Sequence, residues 1–156
     1  MKGIKSMKQY RFGFSSEGLF AFLLAMLPNI IWALIPPAND VLSINRIVFP
    51  VWDVIASISQ WLMIAALAVL INQSAIKEQR TKMLIGSAAL CLAGYYLFWI
   101  LYYTGVINLW LFVGMAVLPT AYFLLVALWL KNYIAVIPAA LFGVIHITLS
   151  CITYFN

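Results

Sequence analysis

Acidic side chains are nearly absent from this chain. Glu17, Asp40, Asp53 and Glu78 are the only four, against nine lysines and arginines, and charged residues make up 8% of the whole. A soluble domain carries about 25% charged residues. So few cannot cover a water-facing surface, which excludes a soluble globular protein. Histidine occurs once, as His146, and cysteine twice, as Cys91 and Cys151. That is too small a donor set for a His/Cys metal site, so no metal and no cofactor is expected. No disulfide is expected either, because Cys91 falls in the inner half of the third apolar run and Cys151 near the outer end of the fifth. The chain also lacks a nucleophile elbow, a zinc-binding helix motif and a phosphate-binding glycine loop. No catalytic residue is assigned, and an enzyme is not expected. No basic stripe with interleaved aromatics stands apart from the apolar runs, so nucleic acid is not an expected partner.

What is present is apolar: 66% hydrophobic residues and a mean hydropathy of +1.05. A helix needs about 20 apolar residues to cross the roughly 30 Å hydrocarbon core of a bilayer. Five runs meet that need, at 17–35, 47–71, 83–103, 107–130 and 133–154. Strand-like alternation is missing, which argues against a membrane β-barrel. The connections leave no room for a soluble domain. The expected fold is an all-α integral membrane protein, a single bundle of five transmembrane helices over residues 1–156, with residues 1–14 as a short basic leader. The first run exceeds the apolar core of about 7–15 residues in a signal peptide, and no small-x-small cleavage site follows it, so it is expected to be retained.

Charge then sets an orientation. Lys2, Lys5, Lys8, Arg11, Lys77, Arg80, Lys82 and Lys131 fall on one side of a five-span chain, and Arg46 alone on the other. Short basic loops stay cytoplasmic, which predicts a cytoplasmic N-terminus, an extracytoplasmic C-terminus and a bacterial-type cytoplasmic membrane. Membrane lipids are the expected partners of those basic residues. Tyr102, Tyr103, Trp110, Trp129 and Tyr133 flank the short turns and read as an interfacial aromatic belt. Trp32, Trp52, Trp61 and Trp99 lie deeper and are candidates to line a cavity.

The run "LLAMLPNIIWALIPPAND" holds Pro28 and Asn29 side by side. Pro28 has no backbone donor for the carbonyl of Leu24, a break that lipid tolerates only where another group satisfies it. Asn29 lies on a face of small residues with Gly18, Ala21, Ala25, Ala33 and Pro36, and such faces turn toward other helices. In the fifth run Ala135, Ala139, Gly143, His146, Ser150 and Thr153 share one face. In the second, Asp53, Ser57 and Gln60 do so, and Asp53 is the only acid inside a run rather than at its end. A buried carboxylate must find a partner, line a wet cavity or take up a proton. At about 1.5 Å per residue, Asn29, Asp53 and His146 all lie in the extracytoplasmic half. The sequence therefore predicts an outward-facing polar pocket lined by Asn29, Asp53, Ser57, Gln60 and His146, with Trp32 as a further ligand-binding candidate and Thr120 as its floor. The same polar residues also suit a plainer role as hydrogen-bonding glue between helices, worth about 0.6 kcal/mol each.

Two fragments, "FPVW" at 49–52 and "LPTAYFLLVALWLKNY" at 118–133, are similar to motifs of the tryptophan-rich sensory (translocator) protein family. In that family the tyrosine-containing motif belongs to the last helix, whereas here a further run follows it. The resemblance implies a ligand-binding bundle. Three functional classes fit these observations. The first is a membrane protein that binds or transports a small molecule or lipid-like ligand. The second is an accessory or scaffold subunit associating with a partner membrane protein or with itself. The third, with least support, is an intramembrane enzyme.

Overall fold

A computed structural model describes residues 10–44, 49–73 and 82–155. Arg46, Lys77, Arg80 and the lysines of the leader, all used in the orientation argument, lie outside the described residues. Helices run over α1 (Ser16–Leu34), α2 (Pro50–Val69), α3 (Lys82–Tyr103), α4 (Leu109–Trp129) and α5 (Tyr133–Phe155), with a short 3-10 turn at Val41–Ile44. All five helices are long and apolar enough to cross a membrane. The described residues thus form an all-α arrangement of five helices, a build compatible with a membrane location.

Half of α4's apolar window (50%) is buried within the protein, against 17–28% for the other four helices, which makes α4 the central helix. It packs between α3 and α5; α5 also packs along α2, and α1 closes the bundle against α2, α4 and α3. Lipid tails supply no hydrophobic drive between helices, so close approach of backbones matters most. Gly18 provides it between α1 and α2, where a Cβ would lie 2.0 Å from the backbone oxygen of Leu67. Gly143 provides it between α5 and α4, where a Cβ would lie 2.1 Å from Cγ2 of Thr120.

One end of the bundle is tied by a feature the apolar pattern does not contain. Residues Tyr10–Phe12 (β1) pair antiparallel with Leu70–Asn72 (β2), Tyr10 opposite Asn72. Two strands this short are marginal by themselves. They are held by the ends of α2, α4 and α5. The carbonyls of Ala68 and Val69, left without helical partners at the end of α2, accept from the backbone N–H groups of Ser15 and Gly13 at 2.8 and 3.0 Å. The Asn132 side chain, 1% exposed, donates to the carbonyls of Ala66 and Leu70 and accepts from the N–H of Ala135. The Lys131 carbonyl accepts from Tyr10 and Asn72. The second apolar run therefore ends as a helix at Val69, two residues earlier than its hydropathy suggests, because residues 70–72 extend to pair with the leader. This end is called the β end below; α1, α3 and α5 finish at the far end.

Both helix–helix turns close in the same way. The N–H of Asn132 bonds the carbonyl of Ala127, and that of Lys131 the carbonyl of Leu128. Likewise Val106 bonds Leu101, and Gly105 bonds Tyr102. These are Schellman closures, which need a left-handed residue just past the helix. Gly105 supplies it at φ +89°, Lys131 at φ +53°.

The interior has two parts. Toward the β end it is built on small residues, with Ala21, Ala25, Ala66, Ala127 and Ala135 around Met63, Leu67 and Phe123. Toward the far end it is aromatic, with Tyr95, Trp99 and Tyr102 of α3 against Phe112 and Met115 of α4. Of the residues read as an interfacial belt, Trp110 and Tyr133 are exposed, but Tyr102 is 1% exposed and belongs to this core.

Candidate ligand cavity

The break at Pro28 is satisfied from α3. The Tyr96 hydroxyl donates to the Leu24 carbonyl at 2.6 Å, the acceptor that Pro28 frees. Its neighbour Tyr95 accepts from Asn29 Nδ2 at 2.8 Å. Asn29 Nδ2 also donates to the Ala25 carbonyl at 3.4 Å. That carbonyl can only accept, which fixes the amide orientation and leaves Asn29 Oδ1 as an acceptor. A pair of adjacent tyrosines thus answers the Pro-Asn pair across the helix interface.

α1 and α2 touch near the β end, through Gly18 and Leu67, and leave a space between them toward the far end. That space is a cavity of about 340 Å³. Its polar lining comes from Asn29 of α1, Asp53, Ser57 and Gln60 of α2, and His146, Ser150 and Thr153 of α5. Tyr95, Pro119 and Phe123 form much of the remaining wall. The five residues that the helical periodicities put on polar faces are therefore neighbours around one space. Thr120 is not among the lining residues. It is buried against Gly143, and its hydroxyl bonds the Ala116 carbonyl of its own helix at 2.9 Å; Pro119, one residue before it, takes the place expected of it.

Asp53 lies shallower than its place in the apolar run suggests. α2 begins at Pro50, so Asp53 is in the first helical turn, a position where the helix dipole favours a carboxylate. Among the described residues its carboxylate makes no hydrogen bond or ion pair. His146 is stacked on Phe142, with ring centroids 5.0 Å apart, and makes no hydrogen bond among the described residues. No three His, Cys, Asp or Glu side chains come together among them either, so they assemble no metal donor set.

A second cavity of about 250 Å³ adjoins the first and shares Asn29, His146 and Ser150 with it. Its other walls are aromatic or apolar: Trp32, Leu42, Trp99, Phe112, Met115 and Tyr154. Trp32 thus sits beside the polar cavity rather than in it. Trp99 lines this second space as well, whereas Trp52 and Trp61 are 51% and 69% exposed on the outside of the bundle. The buried Tyr154 hydroxyl near it has no hydrogen-bond partner among the described residues.

The connection after α1 covers this end. Asp40 accepts from Trp32 Nε1 at 3.0 Å and from the Tyr102 hydroxyl at 2.7 Å. The Tyr102 oxygen in turn accepts from the N–H of Leu42 at 3.0 Å. Desolvation pushes the Asp40 carboxyl up, but the bonds from Tyr102, Trp32 and Ser43 together outweigh it and hold the group below its ordinary value of 3.8. Asp40 had no assigned role in the sequence reading; only its contacts across 62 residues reveal one.

No family model, curated protein or solved structure matches this chain.

Proposed function

We propose that this protein sits in a membrane with its β end cytoplasmic and binds, or carries, a small-molecule or lipid-like ligand in the far-end cavity. The observation that carries the reading is the convergence of Asn29, Asp53, Ser57, Gln60 and His146 from three helices onto one space of about 340 Å³. Polar groups serving only as glue would be spent on one another. Here Asp53 and His146 make no hydrogen bond among the described residues and line a space instead. A volume of roughly 300–1,000 Å³ is usual for small-molecule sites. The orientation is supported by the basic residues, eight of which fall on one side of a five-span reading of the sequence, Arg11, Lys82 and Lys131 among them being described at the β end.

The test is native mass spectrometry of the protein in mild detergent, beside an Asp53→Asn, His146→Ala variant. A co-purifying small molecule or lipid held by the unaltered protein and lost from the variant supports the reading. Identical spectra without any retained molecule count against it and favour a scaffold subunit, for which crosslinking to a partner membrane protein is the next experiment.

A further inference from the structure

Resting on that binding reading, we infer that the ligand is an amphipathic organic cation, an amine whose charged head sits at Asp53 and whose flat apolar body fills the adjoining aromatic cavity. Three observations converge on this class.

The first is charge. Of the residues lining the two cavities, Asp53 is the one carboxylic acid, and no lysine or arginine lines them. A carboxylate at the edge of lipid calls for a countercharge or water, and among the described residues it has no ion pair.

The second is the hydrogen-bonding sense of the polar cavity. Asn29 spends its amide hydrogens on Ala25 and Tyr95, so it offers Oδ1. Asp53 can only accept when ionised, and Ser57, Gln60 and His146 can each accept. Ser57, Gln60 and His146 can donate as well, so the groups here that only accept are Asn29 Oδ1 and an ionised Asp53; an ammonium group, a donor with no acceptor of its own, matches those two.

The third is the neighbouring space. The two cavities meet at Asn29, His146 and Ser150, and the second is walled by Trp32, Trp99, Phe112 and Tyr154. Aromatic faces suit a flat apolar body and also attract a cation within about 6 Å. The buried Tyr154 hydroxyl at this wall has no hydrogen-bond partner among the described residues, and an ether or carbonyl oxygen on the ligand body would accept from it.

The test uses three matched probes: a methoxyindole ethylamine, the corresponding alcohol and the corresponding carboxylate. Their affinities are measured by calorimetry on the full-length protein in mild detergent. The amine is expected to bind at least about tenfold more tightly than the alcohol, and the carboxylate most weakly. In Asp53→Asn the amine should fall to within about twofold of the alcohol. Arg46 precedes α2 by four residues and lies outside the described residues, so the titration is repeated on Arg46→Gln. Loss of the amine's advantage there would overturn the assignment to Asp53.

The proposal is also overturned if the alcohol or carboxylate binds as tightly as the amine, or if Asp53→Asn leaves amine affinity unchanged. A Ser57→Phe variant, which fills the polar cavity, separates this failure from that of the binding reading. Neutral or anionic probes that bind and are lost in Ser57→Phe leave the cavity as a site and remove only the cationic class. If none of the probes binds, the cationic class fails, and molecules retained in the native mass spectra decide the binding reading separately.

Discussion

Replacing Tyr96 by Phe removes one hydroxyl and keeps the ring, and its effect depends on a residue 68 positions away. The Leu24 carbonyl accepts from Tyr96 at 2.6 Å because Pro28 has no N–H to offer it. Interhelical hydrogen bonds in membrane proteins average about 0.6 kcal/mol and reach about 1.7. The low average reflects alternatives available to each partner. Leu24 has lost its helical alternative, so Tyr96→Phe is expected near the upper end, at about 1–1.5 kcal/mol. In a Pro28→Ala background the residue-28 N–H can close the helix onto Leu24. The same Tyr96→Phe change should then cost about 0.5 kcal/mol or less, which leaves a coupling energy of about 0.5–1 kcal/mol. Equilibrium unfolding of the four proteins in mixed micelles measures it. Equal costs in the two backgrounds would refute the claim that Tyr96 serves the proline break.

Further consequences can be checked on the same preparations. Gly18→Ala should cost about 1–3 kcal/mol, because its Cβ meets backbone at Leu67 that cannot rotate away. Gly86→Ala, with nothing within 4 Å, should be neutral or up to about 1 kcal/mol stabilising through helix propensity; equal effects at the two glycines would contradict the close α1–α2 contact. Lys131→Gly should stabilise by about 0.5–1 kcal/mol in unfolding titrations, by relieving a left-handed residue in the α4–α5 turn. A loss instead would mean that the lysine's own contacts outweigh the backbone strain. The folded Asp40 carboxyl is held below its ordinary value, so its stabilising contribution is complete above that value and is lost as pH falls through the lower, folded one. The difference in melting temperature between the unaltered protein and Asp40→Asn should therefore be constant from about pH 5 to 7 and shrink below about pH 4; a constant difference down to pH 3 would sink this account of the connection after α1.

The helices were legible in the sequence because charge depletion and run length are local properties. The polar faces were legible because helical periodicity is local too: Asp53, Ser57 and Gln60 share a face whatever packs against it. What could not be read is what each face meets. Tyr95 and Tyr96 form an adjacent pair in an apolar run with no periodic signature, and their roles exist only through Asn29 and Leu24. Tyr102 looks like an interfacial residue by position, yet it is buried because Asp40 and Leu42 fold over it. Thr120, expected as the cavity floor, instead packs at the α4–α5 contact, where Gly143 has no side chain to keep it away. The β end escaped notice because three-residue strands carry too little pattern. Asn132, which ties α2 to α5 there, looked like one polar residue in a turn.

The most direct test of the account is whether water reaches Ser57 from the extracytoplasmic side. Ser57→Cys, in a background carrying Cys91→Ser and Cys151→Ser, can be challenged with a membrane-impermeant thiol reagent on intact spheroplasts and on inverted vesicles. The account predicts labelling in spheroplasts and protection in inverted vesicles, with slower labelling when a cavity ligand is bound. Labelling only from the cytoplasmic face, or from neither, would contradict an outward-facing cavity between α1 and α2.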